Sequence, residues 1–175
     1  MASVFTPGTS GTLKSTNIPA AFYEMAMVLS DAEKAVAEAF RPDQIQIATN
    51  SEAGQITVAA NVPIASVLSG TGAWTVSATD YLAALVTAGN APAGTQTFTN
   101  GTGGEVPVTS KVAAFWAIAQ KLHAAELAKP ADTRPNNITI SADFENGNGT
   151  IAVTLPMTTA IDATGKIVVT AVDYL

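Results

Sequence analysis

From Phe22 onward, Met25, Ala26, Leu29, Ala32, Val36 and Phe40 recur every three or four positions, the spacing that gives a helix one apolar face. Thr16 or Asn17 can cap the start of this helix, and Arg41-Pro42 is expected to mark its end. Ser30-x-x-Glu33 has the form of a capping box, which offers a break within the helix. The period then changes to two: Val58, Ala60 and Val62 alternate with polar or small residues, as in a strand with one face covered. Strands are expected over Gln44–Thr49, Ile56–Ile64 and Trp74–Thr79, with Asn50–Gly54 as the turn between the first two. Pro63 cannot donate to a sheet ladder and is expected at an edge or a strand end. A short extended piece, Ser3–Thr6, and a Gly/Thr/Ser-rich loop precede the helix.

The same pattern then runs a second time. Offsetting the sequence by 93 positions aligns residues 2–82 with 95–175 without a gap, and 30 of the 81 pairs are identical. Phe5-Thr6 recurs as Phe98-Thr99, Ala20-Ala21-Phe22 as Ala113-Ala114-Phe115, Arg41-Pro42 as Arg134-Pro135, and Asp80-Tyr81-Leu82 as Asp173-Tyr174-Leu175. Tyr23/Trp116, Met25/Ile118, Ile64/Met157, Leu68/Ile161 and Trp74/Ile167 exchange one apolar shape for another, which is the behaviour expected of core positions. In the second copy Pro130 is expected to end the helix early, and Glu145–Gly149 is read as the turn between its first two strands, Asn137–Ala142 and Thr150–Met157.

The chain therefore divides into a first repeat over 1–82, a connector over 83–94 and a second repeat over 95–175. The fold class is α+β: two pseudo-twofold-related units, each with a short edge strand, one helix and about three mainly antiparallel strands. A three- or four-stranded sheet with one helix has a single face that its own helix can cover. The units are thus expected to pair, by continuing the sheet or by packing faces.

Charge narrows the partners. Only 13% of the residues are Asp, Glu, Lys or Arg, against about a quarter in ordinary soluble domains, and from Ala53 to Gly104 the sole charged side chain is Asp80. A small domain normally stays dispersed through mixed surface charge, so a surface of Thr, Ser, Ala, Gly and Asn points to cover by neighbouring subunits. The net charge of −6 and eight Lys and Arg spread along the chain argue against nucleic acid. No stretch reads as a membrane span or a secretory leader, so the expected location is a virion if the protein is viral and the cytoplasm otherwise. Cysteine is absent, which removes disulfides, thiol nucleophiles and Cys-based zinc sites.

Chemistry is hard to place. His123 is the single histidine, and Ser30 occupies its position in the first copy. Glu33 with Glu126, or Asp80 with Asp173, could oppose one another across a pseudo-axis as paired acids do in glycoside hydrolysis, but solvated, capping or helix-stabilising roles are simpler. Asp143–Gly149 lacks the spacing of a calcium loop, and Gly8–Thr12 and Gly101–Gly104 lack the Lys of a phosphate loop. No catalytic, cofactor or metal residues are assigned.

Aromatic residues give the clearer pointer. If Phe22 and Phe115 face their local cores, Tyr23 and Trp116 point toward the other repeat or another chain. Tyr81 and Tyr174, the acids Asp80 and Asp173 beside them, and Phe5 and Phe98 in the edge pieces complete the candidate interface. The expectation is a non-enzymatic structural protein that works by homo-oligomerisation or by joining a larger assembly, such as a capsid decoration, tail or neck element of a virion. The alternative is a small-molecule, glycan or cation-binding module with its site between the repeats.

Overall fold

The computed structural model describes residues 5–7, 17–82, 98–100 and 111–175. Helix α1 spans Ile18–Lys34 and helix α2 spans Lys111–Leu127, 17 residues each and at equivalent positions of the two repeats. Asn17, not Thr16, caps α1: its backbone is extended and its side chain accepts the Ala20 N–H at 2.8 Å. The capping box at Ser30 does not interrupt α1. Arg41 and Arg134 return to the helix ends instead, Arg41 donating to the Lys34 and Val36 carbonyls at 3.1 and 3.3 Å, and Arg134 to those of Glu126, Leu127 and Lys129 at 3.2, 2.9 and 2.9 Å. Carbonyls left open at a helix end are satisfied in this way by a cation that also suits the dipole. α1 ends at Lys34, short of the expected Arg41-Pro42, and α2 ends at the equivalent Leu127, three residues before Pro130, so the second helix is not the shorter of the two. Phe40 lies beyond the helix in a short 3-10 turn and is exposed.

The strands are β1 (Phe5–Pro7), β2 (Ile45–Asn50), β3 (Gln55–Leu68), β4 (Trp74–Ala78), β5 (Phe98–Asn100), β6 (Ile138–Asp143), β7 (Asn148–Ile161) and β8 (Ile167–Ala171). β1 and β5 pair antiparallel as a two-stranded ribbon. The other six form one antiparallel sheet with the path β2-β3-β7-β6, in which β4 pairs with the outer half of β3 and β8 with the outer half of β7. The two repeats are therefore joined through β3 and β7 in a continuous sheet.

Pro63 and Pro156 sit inside the long strands, not at their ends. On one edge of β3 the ladder to β2 reaches Asn61, whose N–H meets the Gln44 carbonyl at 3.0 Å, and the ladder to β4 begins beyond it, where Thr79 donates to the Pro63 carbonyl at 2.8 Å. Pro63 occupies the seam between two partner strands, a place where a missing N–H costs nothing. Pro156 does the same, accepting from Val172 at 2.8 Å.

One sheet face carries Ile56, Val58, Ala60, Val62 and Ile64 of β3 and Gly149, Ile151, Val153 and Leu155 of β7, all buried. Phe22, Met25, Ala26 and Leu29 of α1 and Phe115, Ile118, Ala119 and Leu122 of α2 cover it. Each fully buried side chain of this size contributes about 1.5–3 kcal/mol relative to exposure. Each helix packs on the strand that follows it in its own repeat and on the last strand of the other, α1 on β2 and β8, α2 on β6 and β4. The core is thus shared between the repeats.

The internal symmetry can be located residue by residue. Ala59 pairs with Ala152, Thr6 with Thr99, and the Phe22 and Phe115 rings meet at a centroid distance of 5.2 Å. Each of these is a residue against its own counterpart 93 positions on, so the pseudo-twofold axis passes through all three pairs. It runs through the middle of the sheet, and the outer hairpins β3–β4 and β7–β8 leave at opposite ends because β3 and β7 are antiparallel.

Length decides what stays uncovered. A 17-residue helix is about 25 Å long, whereas 14 residues of strand extend roughly 46 Å, so β3 and β7 outrun their cover. Leu68 and Trp74, paired at the end of one hairpin, are 53% and 65% exposed, and their counterparts Ile161 and Ile167 are 75% and 65% exposed. These apolar exchanges between repeats are not core positions. Gly149 departs from expectation in the other direction. It belongs to β7 rather than to a turn, and a Cβ there would lie 2.5 Å from the Trp116 ring and 2.8 Å from Ile64 Cγ2. The turns are made instead by Gly54 and Gly147, at φ of 63° and 65°.

Candidate functional site

Glu33 falls four residues after Leu29 on the apolar stripe of α1, and this places its carboxylate inside the molecule, 2% exposed. Oε1 accepts the Gln44 N–H at 3.1 Å and Oε2 the Ile45 N–H at 3.2 Å, at the start of β2, while the Tyr81 hydroxyl donates to Oε1. Glu126 repeats the arrangement at 1% exposure, accepting Asn137 N–H at 3.1 Å, Ile138 N–H at 3.3 Å and the Tyr174 hydroxyl. These acids are not solvated, as their composition context suggests, but act as latches that tie a helix end, a strand start and the close of the repeat together. Burial, with the hydrogen bond to Glu33, pushes the Tyr81 phenol well above its ordinary range, and burial with Glu126 does the same for Tyr174.

The latches lie at opposite edges of the sheet, since β2 and β6 are separated by β3 and β7. Three strand spacings keep Glu33 and Glu126, with the neighbouring Asp80 and Asp173, on the order of 14 Å or more apart. That exceeds the roughly 5–9.5 Å that opposed carboxylates use in glycoside hydrolysis. Asp173 accepts the Leu175 N–H at 3.2 Å, a local turn contact. His123 is half-buried on α2. In Asp143–Gly149, the Asp143 carboxylate takes the Glu145 and Asn146 N–H groups at 3.1 Å each, which describes a turn. Among the described residues no three His, Asp or Glu side chains gather as a metal site, and no helix is long and apolar enough to cross a membrane.

The candidate interface residues separate into groups. Tyr23 and Trp116 are buried and turned toward the other repeat: Trp116 lies against Ile64 and over Gly149, and Tyr23 faces β8. Trp116 is 3% exposed, and Tyr23, at 6%, contributes to the lining of a surface cleft beside β8. Tyr81 and Tyr174 are half-buried and face their own latches. Phe5 and Phe98 start the two strands of the β1–β5 ribbon, and their side chains lie outside the described residues. The seam between the repeats is filled at its centre by Phe22 and Phe115, both fully buried.

Among the described residues, two surfaces that aromatic spacing does not reveal are left open. One is the uncovered face of the four central strands, where Gln46, Gln55, Thr57, Ala59, Asn61, Thr139, Ser141, Thr150 and Ala152 are exposed and Asp143 alone carries charge among the described positions. Strict alternation along β3 and β7 is the signal that could have found it. The other is a cleft of about 260 Å³ between α1 and the β7–β8 hairpin, lined by Tyr23, Met27, Asp162, Lys166, Ile167, Val168 and Val169. No protein-family model, no curated protein and no solved structure matches this chain.

Proposed function

We propose that the chain is a non-enzymatic structural subunit that builds a larger assembly, as a homo-oligomer or as one protein of a particle such as a virion. The observation that carries this reading is the open sheet face. A solvated face of an antiparallel sheet ordinarily mixes polar and charged residues. This one is made of Gln, Asn, Thr, Ser and Ala and is uncharged except at its Asp143 corner. Four strands about 4.8 Å apart and a β3–β7 overlap of nine residue pairs make it roughly 20 by 30 Å, so that stacking two copies would remove about 1,200 Å² in total, the lower end of specific interfaces.

The position of the pseudo-axis favours a second copy as occupant. It stands normal to the sheet at Ala59 and Ala152. A twofold lying in the plane between two stacked copies would relate four equivalent repeats around one centre, a closed arrangement. A small-molecule, glycan or cation site between the repeats finds less support, because the Phe22–Phe115 pair occupies the seam.

Sedimentation velocity and native mass spectrometry of the full chain test the reading. The expected result is a mass that is a multiple of 17.8 kDa, lowered when Thr57→Lys and Thr154→Lys place two like charges on the open face. A monomer at every micromolar concentration, with no partner retained, would overturn its homo-oligomeric form.

A further inference from the structure

The two ends of the sheet are related by the pseudo-axis, yet they are not alike. At the β3–β4 end, Trp74 projects 65% exposed beside its cross-strand partner Leu68, and the turn between the strands, Ser69–Ala73, has no charged side chain. At the β7–β8 end the residue equivalent to Trp74 is the smaller Ile167, and a cleft of about 260 Å³ opens between it and α1. α1 supplies Tyr23 and Met27 to the cleft. Where α2 meets β4 the equivalent residues are Trp116, whose indole is packed down onto Gly149, and Gln120.

One end is therefore a knob and the other a hole. We infer that Trp74 of one copy seats in the Tyr23–Met27–Ile167 cleft of the next copy, joining copies head to tail. The cleft has room for an indole and a mixed lining in which Tyr23, Met27, Ile167, Val168 and Val169 are apolar, and its rim carries Lys166, a cation for an indole face, while Asp162 Oδ1 is occupied by the Thr164 and Lys166 N–H groups of the turn. A fully covered Trp buries roughly 150–250 Å², of which Trp74 has 65% still to lose, and only Leu68 pairs with it on that face, so each contact is small and gains strength by repetition. Because knob and hole lie at opposite ends, the contact is heterologous: it propagates into a filament unless its rotation closes a ring. This inference rests on the assembly reading above and adds a second, independent contact to the open face.

The test uses the full chain carrying Thr57→Lys and Thr154→Lys, so that pairing through the open face is removed and only the end contact is read. Sedimentation velocity is expected to show a concentration-dependent series of species in that background. Adding Trp74→Ala, or filling the cleft with Met27→Trp, is expected to weaken self-association at least about thirtyfold, the usual loss for a buried Trp anchor. Mixing the two variants should give a dimer and nothing larger, because only one knob and one hole remain competent. Undiminished association after Trp74→Ala, or a mixture that stays monomeric while both variants melt like the parent, overturns the head-to-tail contact. A parent background that is monomeric while the unmodified chain forms pairs overturns it too, and leaves the open-face reading standing. An unmodified chain that is monomeric throughout overturns both.

Discussion

The edges of the sheet and its outer hairpins treat the duplication in opposite ways. At the edges Glu33, Arg41 and Tyr81 return unchanged as Glu126, Arg134 and Tyr174, with the same donors at nearly the same distances. In the hairpins Leu68, Ala73 and Trp74 return as Ile161, Lys166 and Ile167. The difference follows from what a partial change would do in each place. A buried carboxylate with three donors fails if any one of its partners is lost, because the others are left unsatisfied in a medium without water. An exposed apolar residue on an overhanging strand has no such partners and is free to diverge, and in diverging it can make two ends of a symmetric body unequal.

Breaking a latch should have the largest effect. Glu33→Ala strands two backbone N–H groups and the Tyr81 hydroxyl, and Glu126→Ala does the same in the second repeat. Each is expected to lower stability by about 3 kcal/mol or more, and the two losses in chemical denaturation should agree within about 1 kcal/mol if the latches are equivalent. A loss in one variant alone would mean that the repeats share a sequence here but not an energy.

An intermediate effect is expected where the repeats differ inside the core. Trp116 needs Gly149, whereas Tyr23, its counterpart, goes with Ile56, the counterpart of Gly149. Gly149→Ala is expected to cost about 1–3 kcal/mol by overpacking, and Trp116→Tyr in the same chain should recover most of it. A double-mutant cycle measures that coupling, and additive losses would show that Trp116 and Gly149 do not constrain one another.

The smallest effect is silent at neutral pH. All three tyrosines of the chain, Tyr23, Tyr81 and Tyr174, have phenols raised above 10.0, the first by burial and the other two by burial and a latch acid. A phenol whose folded value is raised keeps its proton in the native state after the unfolded chain has lost it. Its contribution is complete below pH 10 and is lost as pH climbs from there toward the folded values. The native protein should therefore show little phenolate absorbance as pH passes 10, followed by a joint rise as it unfolds. Tyr81→Phe with Tyr174→Phe should flatten the alkaline decline in stability, and an ordinary phenolate titration of the folded chain would contradict the buried latch.

Much of this architecture can be read from spacing and repetition. The 93-residue offset, the helix stripe and the alternation of β3 and β7 place the elements, although α1 stops at Lys34, well short of the expected end at Arg41-Pro42. Glu33 reads in the sequence as a solvated or helix-stabilising acid; its place on the apolar stripe in both copies is the signal of burial, and its role needs Tyr81 and β2 brought from a distance. Leu68 and Trp74 could not be read in the same way. An apolar-for-apolar exchange looks alike in a core and on an overhang, and only the mismatch between helix and strand lengths distinguishes them. The function of Gly149 was hidden because Asn-Gly ordinarily marks a turn, and the close approach of Trp116 is a tertiary fact.

The residues on the pseudo-axis, Thr6/Thr99, Phe22/Phe115 and Ala59/Ala152, are identical in the two repeats. A group on a twofold must tolerate its own image, which is the demand a homodimer of single repeats would place on those positions. The chain thus has the geometry of a dimer made covalent. Two separate halves would meet by mass action, at a rate and extent set by how many are present. Joined by residues 83–94, each half has its partner at an effective concentration on the order of millimolar, and the fold no longer depends on how dilute the protein is.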